Sequence, residues 1–424
     1  MQTNLSPEYR DTREGREADA ILRACVHCGF CTATCPTYQL LGDELDGPRG
    51  RIYLIKEVLE GAPVTAKTQL HLDRCLTCRA CETTCPSGVQ YGRLIDIGRN
   101  LVDAKVGRTA GAAAKRWSLR RGLLSKTLFA TALTMGRMVK GLLPRELGDR
   151  IPAGGRAGEW PAPRHARKMI IMEGCVQPAL KPGIDAAAAR VLDRIGISAL
   201  RIAGGGGCCG ALSHHLSAED EARAIVRRNI DAWWPHVHHG LEAIVVTASG
   251  CGVMVKDYGH FLAHDAAYAA KAKKIAELTR DPIEIVTAEW RKIAPMIALD
   301  QGPERIAFHP PCTLQHGMRI RGQVEEILLA IGHSLLPVAD THLCCGSAGT
   351  YSMLQPVLAN QLKANKLRAL EALRPEVIVS ANIGCMTHLE SGTRTPVKHW
   401  IELLDRRMIT TSRSAARSAT PVHD

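Results

Sequence analysis

The chain has 424 residues, a formal net charge of +12, 46% apolar residues and 16 cysteines. This length exceeds what one hydrophobic core usually serves, so we expect two to four domains. It holds no run of roughly eighteen apolar residues and no apolar leader near Met1, so we expect neither a transmembrane helix nor a signal peptide. These features predict a cytoplasmic protein, and in that reducing compartment its cysteines are predicted to bind metal or carry redox chemistry rather than form disulfides.

One cysteine pattern, C-x2-C-x2-C-x3-C-P, occurs twice near the N-terminus. It is formed by Cys25, Cys28, Cys31 and Cys35, and again by Cys75, Cys78, Cys81 and Cys85. Three closely spaced thiolates suit one [4Fe–4S] cluster, and in two-cluster ferredoxins the fourth cysteine ligates the other cluster. The predicted sets are therefore Cys25, Cys28, Cys31 and Cys85 for the first cluster, and Cys75, Cys78, Cys81 and Cys35 for the second. Structural zinc is the alternative, but zinc sites usually combine two separate C-x2-C pairs.

Residues 1–100 are predicted to form a helical domain around these two clusters. The first 24 residues have a short helical apolar face, and Ile52–Leu59 has apolar positions three and four apart. The 39 residues between Cys35 and Cys75 exceed the spacer of a compact bacterial ferredoxin. Arg49 and Arg51 lie in this spacer, either as solvated surface or as hydrogen-bond donors near a cluster, where they would raise its potential.

Residues 101–165 are predicted to be a basic helical connector that ends in a linker rich in proline and glycine. Its leucines recur near helical spacing among many lysines and arginines. Such a helix can lie at a membrane interface, which would make the protein peripheral at the inner face of the cytoplasmic membrane, or pack on a partner subunit or the core. Nucleic acid is not an expected partner, because no recognised binding module accompanies the basic charge.

Residues 166–300 and 301–405 follow one plan, with β runs and helices alternating around cysteines. The first copy contains Cys175, Cys208, Cys209 and Cys251, and the second contains Cys312, Cys344, Cys345 and Cys385. Matching cysteines are separated by 137, 136 and 134 residues, which indicates a duplication. We therefore expect two α/β lobes with largely parallel sheets, whose cysteines converge at the carboxyl ends of strands, followed by a disordered tail at 406–424.

With these motifs in view, the chain resembles the iron–sulfur subunits of glycolate oxidases. The similarity is carried by the loop from Cys25 to Ile55, by Asn229–Pro235 and Thr247–Cys251, and by Cys344–Tyr351 and Ala381–Cys385. It implies an α+β multidomain fold, in which an α-helical ferredoxin-like two-cluster domain precedes two duplicated α/β CCG lobes of the heterodisulfide-reductase type. It also implies FAD-containing glycolate oxidase subunits as partners, and a quinone or other membrane electron acceptor.

The two CCG repeats depart from the related heterodisulfide reductase subunit, whose repeats end in Cys-x-x-Cys. Here the corresponding positions are Met254 and His388, so the fifth thiolate of a non-cubane cluster is missing. Four thiolates still suffice for a cubane, and at least one further iron–sulfur cluster is expected in the repeats. Two separate centres, one centre shared between the lobes, and zinc are all left open. His388 as a substitute ligand is left open.

The expected function is electron transfer, without a catalytic acid or base in this chain. It contains neither a dinucleotide fingerprint nor a convincing base–nucleophile pair, so no flavin or nucleotide site is expected. The histidines, among them His27, His214, His215 and His316, are expected to be surface or packing residues, and His309 and His342 near cysteines are the first to test. Alternatives are the equivalent subunit of an anaerobic glycerol-3-phosphate dehydrogenase or lactate-utilisation complex, and a zinc-stapled scaffold without redox activity.

Overall fold

A computed structural model describes residues 1–142, 154–202, 206–299 and 302–408. Most of the predicted tail, part of the predicted linker, and Gly204 with Gly205 lie outside the described residues. The predicted domain boundaries remain predictions.

The N-terminal region is helical, as predicted. Its helices span Pro7–Arg10, Arg13–Ala24, Pro36–Leu41, Pro48–Leu59, Ala66–Asp73, Ala80–Thr84 and Tyr91–Val106, with 3-10 turns at Phe30–Thr32 and Glu44–Asp46. The Thr12 side chain caps Arg13–Ala24, and the apolar stripe of that helix is buried. Helix Pro48–Leu59 approaches Tyr91–Val106 so closely that a Cβ at Gly98 would lie 2.6 Å from Ile55. These helices flank the two cysteine loops.

The basic connector forms two consecutive helices, Ala110–Leu124 and Lys126–Val139, followed by a 3-10 turn at Lys140–Leu142. Neither of these two helices contains a buried residue. The first is fixed to the rest of the chain by ion pairs of Arg116 with Asp73 (3.2 Å) and Arg120 with Glu221 (3.6 Å). Within the described ranges, we find no helix whose length and apolar character would allow it to cross a bilayer.

The second half consists of two α/β lobes with four-stranded sheets, as the repeat predicts. The strands of the first lobe are β1 (Arg167–Ile171), β2 (Ile197–Leu200), β3 (Ala243–Val245) and β4 (Thr279–Arg280), and those of the second are β5 (Arg305–His309), β6 (Ser334–Leu335), β7 (Val377–Ser380) and β8 (Val397–His399). The strand orders are 2-1-3-4 and 6-5-7-8, and every pair within the two sheets is parallel. In each lobe the order reverses beside the first strand, and ligands of such sheets collect there, outside the carboxyl ends of the strands.

The helices of the lobes cover both sheets. In the first lobe they are Gln177–Leu180, Gly183–Arg194, Ala211–His215, Glu219–His238, Ser249–Lys256, Tyr258–Phe261, Ala269–Leu278, Pro282–Ala288 and Trp290–Ile293, with a 3-10 turn at Ala294–Met296. In the second lobe they are Gln323–Ala330, Tyr351–Leu354, Pro356–Glu371, Ile383–Glu390 and Trp400–Arg407, with a π-turn at Thr313–Gly317.

One hydrophobic core runs through both lobes, from Met169 in β1 to Met408. At the strand ends, Ser249 Oγ lies 2.7 Å from Thr313 Oγ1, and the Gly250 amide donates to Asn382 Oδ1 at 3.3 Å. The buried His399 contacts the carbonyl oxygen of Thr247 at 3.0 Å. The lobes therefore share one interior, and their cysteine-bearing ends face each other.

Candidate metal centres

The two cysteine loops of the N-terminal region repeat one backbone conformation. In the first loop, His27 (φ 56°) and Gly29 (φ 84°) flank the second cysteine in the left-handed region. In the second loop, Thr77 (φ 53°) and Arg79 (φ 59°) do the same. Left-handed φ at a non-glycine residue costs roughly 1 kcal/mol or more, so three such residues at matching places mark loops built for a function.

The first predicted set of cysteines comes together. Cys25, Cys28, Cys31 and Cys85 line one small cavity, in whose wall Cys81 of the second set also lies, so the fourth cysteine of the second loop reaches the first loop, as the ferredoxin rule predicts. Burial, followed by the neighbouring thiols of the same set, raises the pKa of Cys31 to about 11. Crowded thiols of this kind do not ionise readily without a cation, and a bound metal supplies one.

The second predicted set also comes together. Burial, followed by the thiols of Cys78, Cys75 and Cys35, raises the pKa of Cys81 well above its usual value. The Tyr91 hydroxyl donates to Cys75 Sγ at 3.5 Å, and Thr37 Oγ1 lies 3.3 Å from Cys35 Sγ. The donors around this set orient its sulfur atoms, as the outer groups of a metal site do.

Arg51 is a buried cation beside the second set. Its side chain is 1% exposed, and it donates to the carbonyl oxygen of His71 (2.7 Å) and to Thr37 Oγ1 (3.1 Å), with Asp46 at 3.4 Å. Burial opposes the charge of Arg51, but Tyr91 and the cysteines nearby raise its pKa above the usual value. The solvated-surface alternative is therefore excluded for Arg51.

The first lobe gathers Cys175, Cys208, Cys209 and Cys251. Side-chain hydrogen bonds of Cys208 and Cys251, with burial, raise the pKa of Cys209 well above its usual value. The Gly210 amide donates to Cys208 Sγ at 3.4 Å from a left-handed conformation (φ 94°) that favours glycine. The left-handed conformation needed to aim this amide at the sulfur atom explains why glycine completes the CCG motif.

The second lobe gathers Cys312, Cys344, Cys345 and Cys385 in the same manner. The sulfur atoms of Cys312 and Cys344 are 3.9 Å apart. The Cys344 thiol opposes the shift, but the Cys385 thiol and burial together raise the pKa of Cys345 well above its usual value. The Gly346 amide donates to Cys344 Sγ at 3.4 Å with φ 89°, and a Cβ there would lie 2.6 Å from the carbonyl oxygen of Ala359. The two lobes thus repeat one sulfur arrangement.

A histidine joins the second set but not the first. His309 ends β5, and one of its ring nitrogens lies within 4.8 Å of the sulfur atoms of Cys345 and Cys385. His388, left open as a ligand in the sequence, instead contacts the carbonyl oxygen of Ala359 at 3.3 Å. The proximity of His309 to Cys312 in the chain was the only sequence signal for its position.

The second cysteine loop packs directly on the second lobe. Leu76, Cys312, Cys344 and Tyr351 belong to one buried apolar cluster, against which Cys78 is packed. The Tyr351 hydroxyl donates to the carbonyl oxygen of Arg74 at 3.1 Å. Burial raises the pKa of Cys78 well above its usual value, and Cys312 contributes more to this shift than Cys35 or Cys75 does. Two of the four predicted centres are therefore neighbours.

A cavity of about 490 Å³ lies between the N-terminal helices and the first lobe, with Cys78 in its wall. His214 is placed between two carboxylates, with Nε2 3.3 Å from Asp96 Oδ2 and Nδ1 2.7 Å from Glu219 Oε1. Burial opposes the charge of His214, but Asp96 and then Glu219 outweigh it and raise its pKa to about 10. His215 approaches Asp96 at 3.5 Å. The sequence predicted surface or packing roles for both histidines and gave no sign of this cavity.

Two family models match the regions that bear these cysteines. A 4Fe-4S dicluster domain matches residues 21–89, and a cysteine-rich domain matches residues 170–256 and 306–390. The chain therefore carries iron–sulfur clusters, and its cysteine sets offer the thiolate donors that such clusters require.

The chain is also similar to several curated proteins. It is 53% identical to the glycolate oxidase iron-sulfur subunit of Escherichia coli (strain K12) over 410 residues, which cover 96% of this chain and 99% of that protein. It is 26% identical to the probable glycolate oxidase iron-sulfur subunit of Bacillus subtilis (strain 168), covering 87% of this chain and 88% of that protein. A lactate utilization protein A from Anoxybacillus flavithermus is 23% identical and matches 55% of this chain and 97% of its own length.

Proposed function

Because this chain belongs to the family of glycolate oxidase iron–sulfur subunits, we propose that it relays electrons within a glycolate-oxidising complex. FAD-containing partner subunits oxidise glycolate to glyoxylate, and this chain passes the electrons toward a quinone. The observation that carries the proposal is the convergence of both crossed cysteine sets, one of them directly beside the second lobe. Bound iron–sulfur clusters supply one-electron carriers, which a flavin needs when it delivers a pair of electrons one at a time.

The proposed ligands are the four sets of cysteines already described. Cys25, Cys28, Cys31 and Cys85 hold the first [4Fe–4S] cluster, and Cys75, Cys78, Cys81 and Cys35 hold the second. Cys175, Cys208, Cys209 and Cys251 hold a centre in the first lobe, and Cys312, Cys344, Cys345 and Cys385 hold one in the second.

The crossed ligation has a direct spectroscopic test on the anaerobically purified complex. Cys28→Ser and Cys85→Ser, although they lie in different loops, are expected to alter the same EPR signal, and Cys35→Ser to alter the other. Ser87→Ala, which changes a residue in the wall of the first cavity that has no thiol, is the control. If Cys85→Ser altered the signal of the second cluster instead, the crossed assignment would be wrong.

The first loop is the proposed docking site for the flavin partner. Val26 and Phe30 are 66% and 61% exposed, whereas Leu76 and Ala80, at the matching positions of the second loop, are 6% and 1% exposed. The second lobe covers the second loop within this chain, and a partner subunit is proposed to cover the first in the same way. Exposed apolar side chains next to a redox site suit such an interface.

The cavity of about 490 Å³ is the proposed quinone site, since its size is typical of small-ligand pockets and Cys78 lies in its wall. Reducing a quinone to a quinol consumes two electrons and two protons. His214, protonated between Asp96 and Glu219, can donate one proton, while solvent water supplies the second proton and reprotonates the imidazole. Burial opposes ionisation of the two carboxylates, but His214 outweighs it and lowers their pKa values, so Asp96 and Glu219 stay ionised and hold the imidazolium in place.

A substitution in the cavity separates electron supply from quinone reduction. His214→Gln is expected to lower glycolate-dependent quinone reduction about a hundredfold or more, since general acid catalysis typically contributes about 10²–10⁴-fold. Reduction of an artificial dye by the same preparation should stay near the wild-type rate. His238→Gln, an exposed histidine of the same lobe, is the control. An equal loss of rate with quinone and with dye would show that the substitution disturbs electron transfer within the chain before electrons reach the cavity.

The helix Lys126–Val139 is the proposed point of peripheral membrane contact. Leu128, Met135 and Met138 are 53%, 63% and 77% exposed on a helix without buried residues. Apolar side chains on a basic helix are typical of interfacial binding. Met135→Ser with Met138→Ser should abolish co-sedimentation of the purified complex with vesicles that contain anionic lipid, and unchanged co-sedimentation would exclude this helix.

A further inference from the structure

The buried His309 differs from most buried polar side chains, which have hydrogen-bond partners. Its side chain is 1% exposed, and neither ring nitrogen has a hydrogen-bond partner among the described residues. An unpaired buried polar atom costs about 1–3 kcal/mol, and His309 has two. By contrast, the buried His399 contacts the carbonyl oxygen of Thr247 and accepts from the Ile401 amide. A ligand from outside the polypeptide would satisfy His309.

The surroundings of His309 identify the missing partner as a metal centre. A ring nitrogen of His309 and the sulfur atoms of Cys345 and Cys385 lie within 4.8 Å of one another, and both cysteines are buried. An imidazole and two thiols around one point are donors that iron and zinc both accept.

The duplication supplies an internal comparison. Phe308 pairs with Val379 in the second sheet as Ile171 pairs with Val245 in the first, so His309 corresponds to Met172. Met172 is 2% exposed and belongs to an apolar cluster around Trp233. The first lobe therefore offers four thiols, whereas the second offers four thiols and an imidazole.

We infer that His309 is a nitrogen ligand of the iron centre held by Cys312, Cys344, Cys345 and Cys385, which makes the second lobe chemically distinct from the first. The inference deepens the proposed function, since it requires iron in the second lobe. It gives that lobe a fifth protein donor, which the sequence pattern had left missing.

The test is pulsed EPR on the complex after stepwise reduction, with natural and ¹⁵N-labelled histidine. The signal of the second lobe is first identified as the one that Cys385→Ser removes. The wild type should show a nitrogen coupling of the strength of directly bound imidazole, which changes from the ¹⁴N to the ¹⁵N pattern on labelling. His309→Met installs the residue of the first lobe, and it should abolish that coupling with the iron content unchanged.

A matched control removes a different buried histidine. His333 also has two ring nitrogens without hydrogen bonds and is 5% exposed, but it lies near Glu304 (3.7 Å) rather than near a cysteine. His333→Met should leave the nitrogen coupling unchanged. Should His309→Met fail to fold, the labelling result in the wild type still decides the question.

Several outcomes would overturn the inference. They are a wild-type signal without nitrogen coupling, a coupling as weak as that of a hydrogen-bonded histidine, and a coupling that survives in His309→Met. A second lobe that contains zinc and no iron would also overturn it, and metal analysis of Cys385→Ser against wild type reveals this. Failure of the proposed function is distinguishable, because it would appear as missing signals from the two N-terminal clusters.

Discussion

The two cysteine loops of the N-terminal region have one spacing and one backbone but opposite surroundings. The first exposes Val26, Phe30 and Cys28, while the second is covered by the second lobe and flanked by the buried Arg51. The shared cysteine spacing thus determines the backbone conformation of each loop, and the residues between the cysteines determine what each loop packs against. The difference makes one loop an expected point of entry and the other an internal junction.

The largest expected effect comes from the buried junction. Cys78→Ser removes a thiol in contact with the second lobe and in the wall of the large cavity. We expect at least a hundredfold loss of glycolate-dependent dye reduction, since the change also loosens the packing around Tyr351. Steady-state rates of the anaerobic complex test this. Full activity would show that the second loop is not part of the route.

Arginines at the two loops should differ in their contribution to stability. Arg51→Met leaves Asp46 buried with fewer partners, and breaking a buried ion pair costs roughly 3–5 kcal/mol. The ion pair of Arg49 with Glu44 is more than one-third exposed. Arg49→Met should therefore change the free energy of unfolding by less than about 1 kcal/mol. Thermal unfolding of both variants checks the contrast, and equal losses would contradict it.

The ion pairs of His214, which lines the same cavity as Cys78 of the second cysteine loop, should make the free energy of unfolding depend on pH. Folding raises the pKa of His214 to about 10. The stability that His214 contributes to the folded state is therefore fully present below its pKa in the unfolded chain, near 6.5, and is lost as pH rises through about 10. At neutral pH, His214→Gln should cost about 2–4 kcal/mol, because one pKa unit corresponds to about 1.4 kcal/mol. The difference in Tm between wild type and variant should narrow from pH 8 to pH 11. A constant gap would show that the charge of His214 does not stabilise the fold.

The smallest effect is expected at the exposed loop. Phe30→Ser should weaken binding of the flavin partner about tenfold, or about 1.4 kcal/mol, by removing an apolar contact. Iron content and Tm should stay at their wild-type values, because the side chain packs on little of its own chain. Titration of labelled chain with the flavin subunits measures the Kd. An unchanged Kd would show that the interface with the flavin partner lies elsewhere on the chain.

Local pattern was sufficient to predict the elements that position the centres. Repeated spacing predicted both loops and both parallel lobes, and the stripe on Arg13–Ala24 is buried as its periodicity required. The pairing of Cys85 with the first loop followed from a ferredoxin rule, and the structure brings these thiols together.

Contacts between distant segments could not be predicted in this way. Asp96 and His214 meet only after the helical region docks on the first lobe, and nothing in either segment signals the other. Likewise, His309 became a candidate ligand only when β5 placed it beside Cys345 and Cys385. Arg51 could be weighed either way, because burial of a cation depends on Asp46 and on carbonyl groups from another helix.

The common interior of the two lobes bears on how such a protein could have arisen. The carboxyl ends of the strands in the two lobes contact each other through Thr247, Ser249 and Gly250 on one side and Thr313, Asn382 and His399 on the other. In a polypeptide with a single lobe, these strand ends would be exposed to solvent. Such an ancestor would have needed to pair with an identical copy. Fusion into one gene freed the halves to evolve apart, and an imidazole where the sister half keeps Met172 is a trace of that freedom.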